Sequence, residues 1–178
     1  MRSIFAGSVA AAVTMFVLGF VFYGLLFQIA LSPLAVETAA AAQAALGSQL
    51  TASGTYMIPA TEEAWMAGPS ALINFVAAGE APTMAMAMTM GFIHFLIAAF
   101  LVALGLRAAG GGFERQARIV LWLGIAAAFF MHLGDPIWFG FGWKMSLFTF
   151  VADSAMFIAA GLVLARWFTS ERPAAPSA

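Results

Sequence analysis

The sequence predicts an all-α integral membrane protein, an antiparallel four-helix bundle with both termini in the cytoplasm and an outer capping loop. Hydrophobic residues make up 63% of the 178 residues, and charged residues make up only 8%. Because a soluble domain usually carries about 25% charged residues, this composition excludes an ordinary water-soluble globule. Four long apolar stretches support the same conclusion, since a helix needs about 20 apolar residues to cross a bilayer core of roughly 30 Å.

The candidate spans coincide with stretches that are almost free of charge. They are residues 4–31, 84–106, 119–139 and 145–165, and Asp153 interrupts the last of them. These stretches are apolar on all sides, whereas the strands of a membrane barrel alternate between apolar and polar residues. A secretory signal is the alternative for residues 4–31, but the apolar part of such a signal covers only about 7–15 residues.

The basic residues predict the orientation of the spans. Six of the seven lie before the first span, between the second and third, or after the fourth: Arg2, Arg107, Arg115, Arg118, Arg166 and Arg172. Because basic residues favour the cytoplasmic side, both termini are predicted to be cytoplasmic. Arginine outnumbers the single lysine, Lys144, in an alanine- and glycine-rich chain. This bias favours a bacterial source, and hence a multi-pass protein of a bacterial inner membrane.

The longest extramembrane segment is the outer loop, residues 37–83, which is too small to be an independent domain. The whole chain, 1–178, is therefore predicted to form a single transmembrane domain. Within the loop, residues 37–46 should form a helix that stops at Gly47, and Thr61 should cap a second short helix. The alanine- and proline-rich tail, residues 173–178, is expected to be disordered.

Ionisable side chains within the spans are the candidates for function, because such groups are costly at membrane depth. His94 follows Met84 by ten residues, which places it ~15 Å below the outer end of its span at the usual rise of a helix. Asp153 lies ~12 Å below the outer end of its own span by the same measure. With His132, they fall in the outer halves of the spans, so a site there would open outward.

The five candidate ligand-binding residues are Tyr23, His94, His132, Thr149 and Asp153. Helical spacing places Ser146, Thr149 and Asp153 on one face of the fourth span. On the second span, small residues share a face with His94, and small residues permit close helix packing. His94 is therefore predicted to point into the bundle. The residues of that face are Ala87, Gly91, His94, Ala98 and Gly105.

Three hypotheses remain open for these polar groups. In the first, His94 and Asp153 form a buried hydrogen-bonded pair that only fixes the helix register. In the second, His94, His132 and Asp153 form an outward-facing site for a small molecule or a proton. In the third, the same three residues bind a metal, or the two histidines ligate haem b. Their spacing matches no known metal signature, so the sequence favours the absence of a cofactor.

A run of alternating methionines at the start of the second span offers soft ligands suited to copper. Alternate residues of a helix, however, point about 200° apart, so these side chains cannot converge on one ion. They are better explained as flexible fillers of the core or as lipid contacts. The run comprises Met84, Met86, Met88 and Met90.

Several classes of function are excluded or disfavoured by composition. The net charge is −1, which leaves no basic surface for nucleic acid. The chain has no cysteine, which excludes disulfides, thiolate metal sites and a cysteine nucleophile. Neither a nucleophile–histidine–acid arrangement nor a catalytic carboxylate pair is visible, which disfavours an enzyme. The sequence therefore favours a non-enzymatic accessory or interaction protein, embedded in the lipid bilayer as a homo-oligomer or within a larger membrane complex.

Three stretches also resemble a group of small bacterial four-span inner-membrane proteins of unknown function. They are residues 16–24 (FVLGFVFYG), residues 54–59 (GTYMIP) with 67–69 (AGP), and residues 139–167. Their order along the chain matches that of the group, and together they cover about a quarter of the chain. The resemblance implies a four-helix inner-membrane protein with an outer loop. It implies no activity, cofactor or catalytic residue.

Overall fold

The computed structural model describes residues 3–169, so Arg2, Arg172 and the tail 173–178 lie outside the described residues. The chain divides into two compact units. One comprises the described residues up to Leu31 together with those from Ala87 onward, and the other is Ser32–Met86.

Helices dominate the described residues. The first, α1 (Ile4–Gly19), continues as a π-helical segment (Phe20–Leu26) and a short 3₁₀ turn (Phe27–Ile29). The remaining elements are α2 (Val36–Gln49), β1 (Gly54–Ile58), α3 (Glu62–Ala67), β2 (Ala71–Phe75), α4 (Met84–Ala109), α5 (Phe113–His132), α6 (Asp135–Trp138) and α7 (Trp143–Thr169).

Four helical stretches within residues 3–169 are long and apolar enough to cross a membrane. Each contains 26 or 27 residues and includes an 18-residue window whose mean hydropathy lies between 1.7 and 2.3. They are Ile4–Ile29, Met84–Ala109, Phe113–Trp138 and Trp143–Thr169. The predictions of a helical protein and of four apolar helices are therefore confirmed.

The boundaries of two helices differ from those expected. Helix α5 begins at Phe113, six residues before the predicted start of the third span, because the positive φ angles of Gly110 (60°) and Gly111 (87°) turn the chain there. The predicted stop of α2 at Gly47 is wrong, since the helix continues to Gln49. A glycine inside a helix costs only about 1 kcal/mol, which the flanking alanines and leucine can offset.

Helices α1 and α7 pack against each other in antiparallel orientation. At one end, the Trp167 indole N–H donates to the backbone carbonyl of Ser3 at 3.3 Å. At the other end, the rings of Phe27 and Phe148 meet with centroids 6.1 Å apart. The described N-terminus and the end of α7 therefore lie at the same end of this pair.

Helix α7 also packs closely on α5, through glycines that remove side-chain bulk. Gly161 is buried against Val120, which is only 1% exposed. A Cβ atom at Gly161 would lie 2.3 Å from Val120 Cγ1, so a larger residue does not fit there. At Gly124, a Cβ would lie 2.9 Å from Ile158. These two approaches hold α5 and α7 at a distance that alanine would not permit.

Helix α4 contacts the core through a different face from the predicted one. Its buried residues are Ala99, Ala103 and Leu106, and Phe92 packs edge-on against Phe16 of α1. On the predicted small-residue face, Gly91 and Gly105 would have open space around an added Cβ. At these two positions the face therefore makes no close helix contact, whereas its residues His94 and Ala98 line a cavity bordered by the other three long helices.

The second unit contains a strand pair that the sequence analysis did not predict. Strands β1 and β2 are antiparallel, with Gly54 opposite Phe75 and Ile58 opposite Ala71. The Thr55 hydroxyl donates to the side-chain oxygen of Asn74 at 2.7 Å across the pair. Between the strands lies α3, and Thr61 caps it as predicted. Strands this short carry too little alternation to be distinguished from a loop, and their placement over the outer mouth stays a prediction.

Candidate functional site

A hydrogen-bonded group around Asp153 joins three helices of the first unit. The Tyr23 hydroxyl donates to Asp153 Oδ1 at 2.7 Å, and His132 Nε2 lies 2.7 Å from Asp153 Oδ2. Both carboxylate oxygens are therefore engaged. We call Tyr23, His132 and Asp153 the Asp153 cluster.

The helix geometry explains why Asp153 can face these partners. Ser146 and Ala160, on the same face of α7, are buried, and Thr149 and Asp153 are half-buried. This face lies against α1 and α5, where an ionisable group needs hydrogen-bond partners. The side chain of Asp153 is 39% exposed, and that of His132 is 17% exposed. The carboxylate thus has partners on one side and open space on the other.

Tyr23 reaches Asp153 from the π-helical segment that follows α1. In such a segment the backbone hydrogen bonds reach back five residues, so the side chains are rotated relative to those of a continuous α-helix. The Tyr23 ring is held by Phe27 and Phe148, both with centroids 6.0 Å away. Short π-helical insertions occur frequently at functional sites, and this one brings the Tyr23 hydroxyl onto the Asp153 carboxylate.

Beside the Asp153 cluster lies a partly open cavity of about 330 Å³. We call it the histidine cavity, because His94 of α4 and His132 of α5 both line it, together with Asp153 of α7. All four long helices contribute to its wall. The remaining lining residues are apolar: Met15, Phe95, Ala98, Gly124, Ala127, Ala128, Met131, Met156 and Phe157.

The structure overturns the hypothesis that His94 and Asp153 form a pair. Asp153 bonds to Tyr23 and His132 instead, while His94 is exposed and its ring lies beside Phe95, with centroids 5.7 Å apart. The face of α4 that carries His94 borders the histidine cavity rather than a packed interface. His94 therefore takes part in the same site as Asp153 without bonding to it.

Two other candidates have different roles from those expected. The Thr149 hydroxyl donates to the backbone carbonyls of Met145 and Ser146, each at 3.1 Å. It lies outside the cavity lining, and its proton is used within its own helix. Tyr23 also lies outside the lining and meets the site through Asp153.

Sequence reasoning missed most of the apolar wall. The spacing of Ala128 and His132 could have identified Gly124, which lies one further turn back on the same face. For Met131, Met156 and Phe157 no signal was available, because a helix that is apolar on all sides gives no periodic distinction between lipid-facing and cavity-facing residues.

The donor set fits a metal poorly. Among residues 3–169, no group of three histidine, cysteine, aspartate or glutamate side chains lies close enough to hold a metal ion. Moreover, the two Asp153 oxygens already accept hydrogen bonds within the Asp153 cluster. Ligation of haem b by His94 and His132 stays a prediction, which a visible absorption spectrum of the purified protein would test.

No protein-family model, curated protein or solved structure matches this chain. The resemblance to small four-span inner-membrane proteins therefore stays a prediction. What the protein does has to be inferred from the Asp153 cluster and the histidine cavity themselves.

Proposed function

We propose that this multi-pass membrane protein binds a small, largely apolar molecule in the histidine cavity. The observation that carries the proposal is the convergence of His94, His132 and Asp153 on one cavity with an otherwise apolar wall. Small-molecule sites typically combine an apolar lining with a few convergent polar groups that fix orientation. A volume of about 330 Å³ falls at the lower end of the range for such sites.

The arrangement of hydrogen-bond donors and acceptors supports ligand binding rather than a hydrogen-bonded pair with a purely structural role. An ionised carboxylate can only accept hydrogen bonds, so His132 donates through Nε2 and keeps Nδ1 as an acceptor when it is neutral. His94 adds a second imidazole from α4. A ligand with a hydroxyl or amine group could therefore be oriented by imidazole acceptors while its apolar part contacts the methionine and phenylalanine side chains.

Binding can be tested with benzyl alcohol as the probe and with methionine methyl groups as reporters. The protein is labelled with [methyl-¹³C]methionine in a detergent micelle, and the signals are assigned by single Met→Leu substitutions. Benzyl alcohol should shift the signals of Met131 and Met156, which line the cavity. Met66, which is 80% exposed in the second unit, serves as the reference signal. The proposal would be contradicted if the signal of Met66 shifted as much as those of Met131 and Met156. It would also be contradicted if the signals of Met131 and Met156 did not shift.

A matched pair of variants distinguishes the cavity from general partition into the micelle. Ala127→Phe places an aromatic ring in the cavity that Ala127 lines, and we expect it to reduce binding of benzyl alcohol by at least about tenfold, roughly 1.4 kcal/mol. Ala126→Phe makes the same change at the neighbouring exposed position, outside the cavity lining, and should leave binding unchanged. Equal effects of the two substitutions would argue against a specific site.

We also propose that the protein lies in a bacterial inner membrane with both termini in the cytoplasm. The proposal is supported by the distribution of arginines, since residues 37–83 contain neither Lys nor Arg. Green fluorescent protein fused after the C-terminus should be fluorescent, and alkaline phosphatase fused there should be inactive. Alkaline phosphatase fused after Gly79 should be active. The reverse pattern would contradict this orientation.

The role of an accessory subunit is a second proposal, supported by the open face of α4. Gly91 and Gly105 lie on this face with free space around an added Cβ. Such a surface permits the close approach of another helix within a membrane, whether from a second copy or from a larger complex.

A further inference from the structure

Within the described residues, the histidine cavity is lined by an acidic side chain with no basic side chain to balance it. Asp153 is its acidic residue, His94 and His132 can be neutral, and no Lys or Arg is among the lining residues of the described chain. When His132 is neutral, the Asp153 cluster therefore carries a charge of about −1. Hydrogen bonds from Tyr23 and His132 satisfy the carboxylate oxygens, but only a positive charge compensates the charge itself.

An uncompensated charge is unfavourable at membrane depth, where water cannot screen it. A cation within the cavity could compensate Asp153, because Asp153 is itself part of the cavity lining. An anion would instead be repelled.

The apolar wall has the chemistry to hold an organic cation. Phe95 of α4 and Phe157 of α7 both line the cavity, and the faces of aromatic rings attract cations, most strongly when both are desolvated. Methionine side chains adapt to ligands of irregular shape, and Met15, Met131 and Met156 line the same cavity. The wall thus complements an apolar molecule, and Asp153 complements a positive charge on it.

We propose that the histidine cavity takes a small organic cation whose positive charge compensates the negative charge of Asp153. The inference rests on the proposed binding function and specifies its ligand class. The other ionisable side chains beside Asp153 are Tyr23 from the π-helical segment, His132 from α5 and His94 from α4.

The direct test compares two probes of equal shape on the unmodified protein. Benzyltrimethylammonium is a cation, and 2,2-dimethylpropylbenzene is its neutral isostere with carbon in place of nitrogen. Titrations are followed through the methyl signals of Met131 and Met156. At about pH 8 the cation should half-saturate the site at a concentration at least about tenfold lower than the neutral probe, relative to their partition into the micelle.

The preference for the cation depends on the carboxylate itself, and not on the neighbouring imidazole. His132→Gln keeps a hydrogen-bond donor beside Asp153 and should therefore retain the preference.

Substitution of the carboxylate provides an independent measurement. Asp153→Asn removes the negative charge but retains the shape of the side chain. The preference for the cation should therefore disappear, so that the two probes half-saturate the site at about equal concentrations while the neutral probe still binds. Asp135→Asn makes the same change in α6, outside the cavity lining, and should leave the preference unchanged. If Asp153→Asn retains the preference, the inference is overturned.

Failure of the inference can be distinguished from failure of the proposed function. If the neutral probe binds the unmodified protein as tightly as the cation does, the ligand class is wrong and a general apolar site remains. If neither probe nor benzyl alcohol shifts the cavity methionines, the site itself is overturned, and with it both proposals.

Discussion

Replacing Gly161 with alanine should destabilise the protein by about 1–3 kcal/mol, the usual cost of overpacking a well-filled interior. The added Cβ would lie 2.3 Å from Val120 Cγ1 and 2.8 Å from Val120 Cγ2. Because both residues are buried at the contact between α5 and α7, the two helices must move apart or Val120 must leave its position. The free energy of unfolding in mixed micelles of sodium dodecyl sulfate measures this change.

A rescue and a control isolate the contact with Val120. Val120→Ala removes both Cγ atoms, so the double variant with Gly161→Ala should lose less stability than the sum of the two single variants, with a coupling of about 0.5–3 kcal/mol. Gly105→Ala is the control, because it makes the same change on α4 with open space around the added Cβ. It should be neutral or stabilising by up to about 1 kcal/mol. Strict additivity would show that Val120 is not the obstacle.

Replacing Asp153 with alanine should also destabilise the protein, by about 1–3 kcal/mol. The change leaves the Tyr23 hydroxyl and His132 Nε2 without their acceptor. The loss falls mainly on His132, whose side chain is only 17% exposed, since Tyr23 is 37% exposed. Tyr23→Phe removes only one of these hydrogen bonds. It should cost about 0.6 kcal/mol, and at most about 1.7 kcal/mol, as hydrogen bonds between membrane helices usually do. Unfolding in the same mixed micelles compares the two variants.

A double-mutant cycle tests whether Tyr23 and Asp153 act together. In the Asp153→Ala background the Tyr23 hydroxyl has lost its acceptor, so Tyr23→Phe should have almost no further effect or should be slightly favourable. Asp135→Ala is the matched control, since it removes a carboxylate from α6 outside the Asp153 cluster. If Tyr23→Phe cost the same in the unmodified protein and in the Asp153→Ala variant, the hydrogen bond between Tyr23 and Asp153 would contribute nothing to stability.

The candidate site was predictable in part. Asp153, His94 and His132 could be identified because ionisable residues are rare within apolar spans and have few roles there. The depth of each along its helix follows from the rise per residue, which placed them all in one half of the membrane. Their convergence on one cavity agrees with the hypothesis of a shared site.

The partners within the site were not predictable. One of the three hypotheses from the sequence paired Asp153 with His94, whereas Asp153 bonds to His132 and Tyr23. Each residue turns a helix by about 100°, so a small error in rotation exchanges one neighbour for another. The π-helical segment changes this rotation before Tyr23, and apolar residues on every side of α1 and α4 leave no periodic pattern that would correct the error.

The sequence by itself determined the class of the protein, its four apolar helices and the few polar residues within them. These properties depend on local composition, since the free energy of moving a segment into the bilayer is a sum over its own side chains. The tertiary structure alone decided that α4 packs through Ala99 and Ala103 and that Gly161 receives Val120. It also decided that His94 faces a cavity. Such contacts depend on the rotation and axial position of each helix, which are set by the shape of its neighbours.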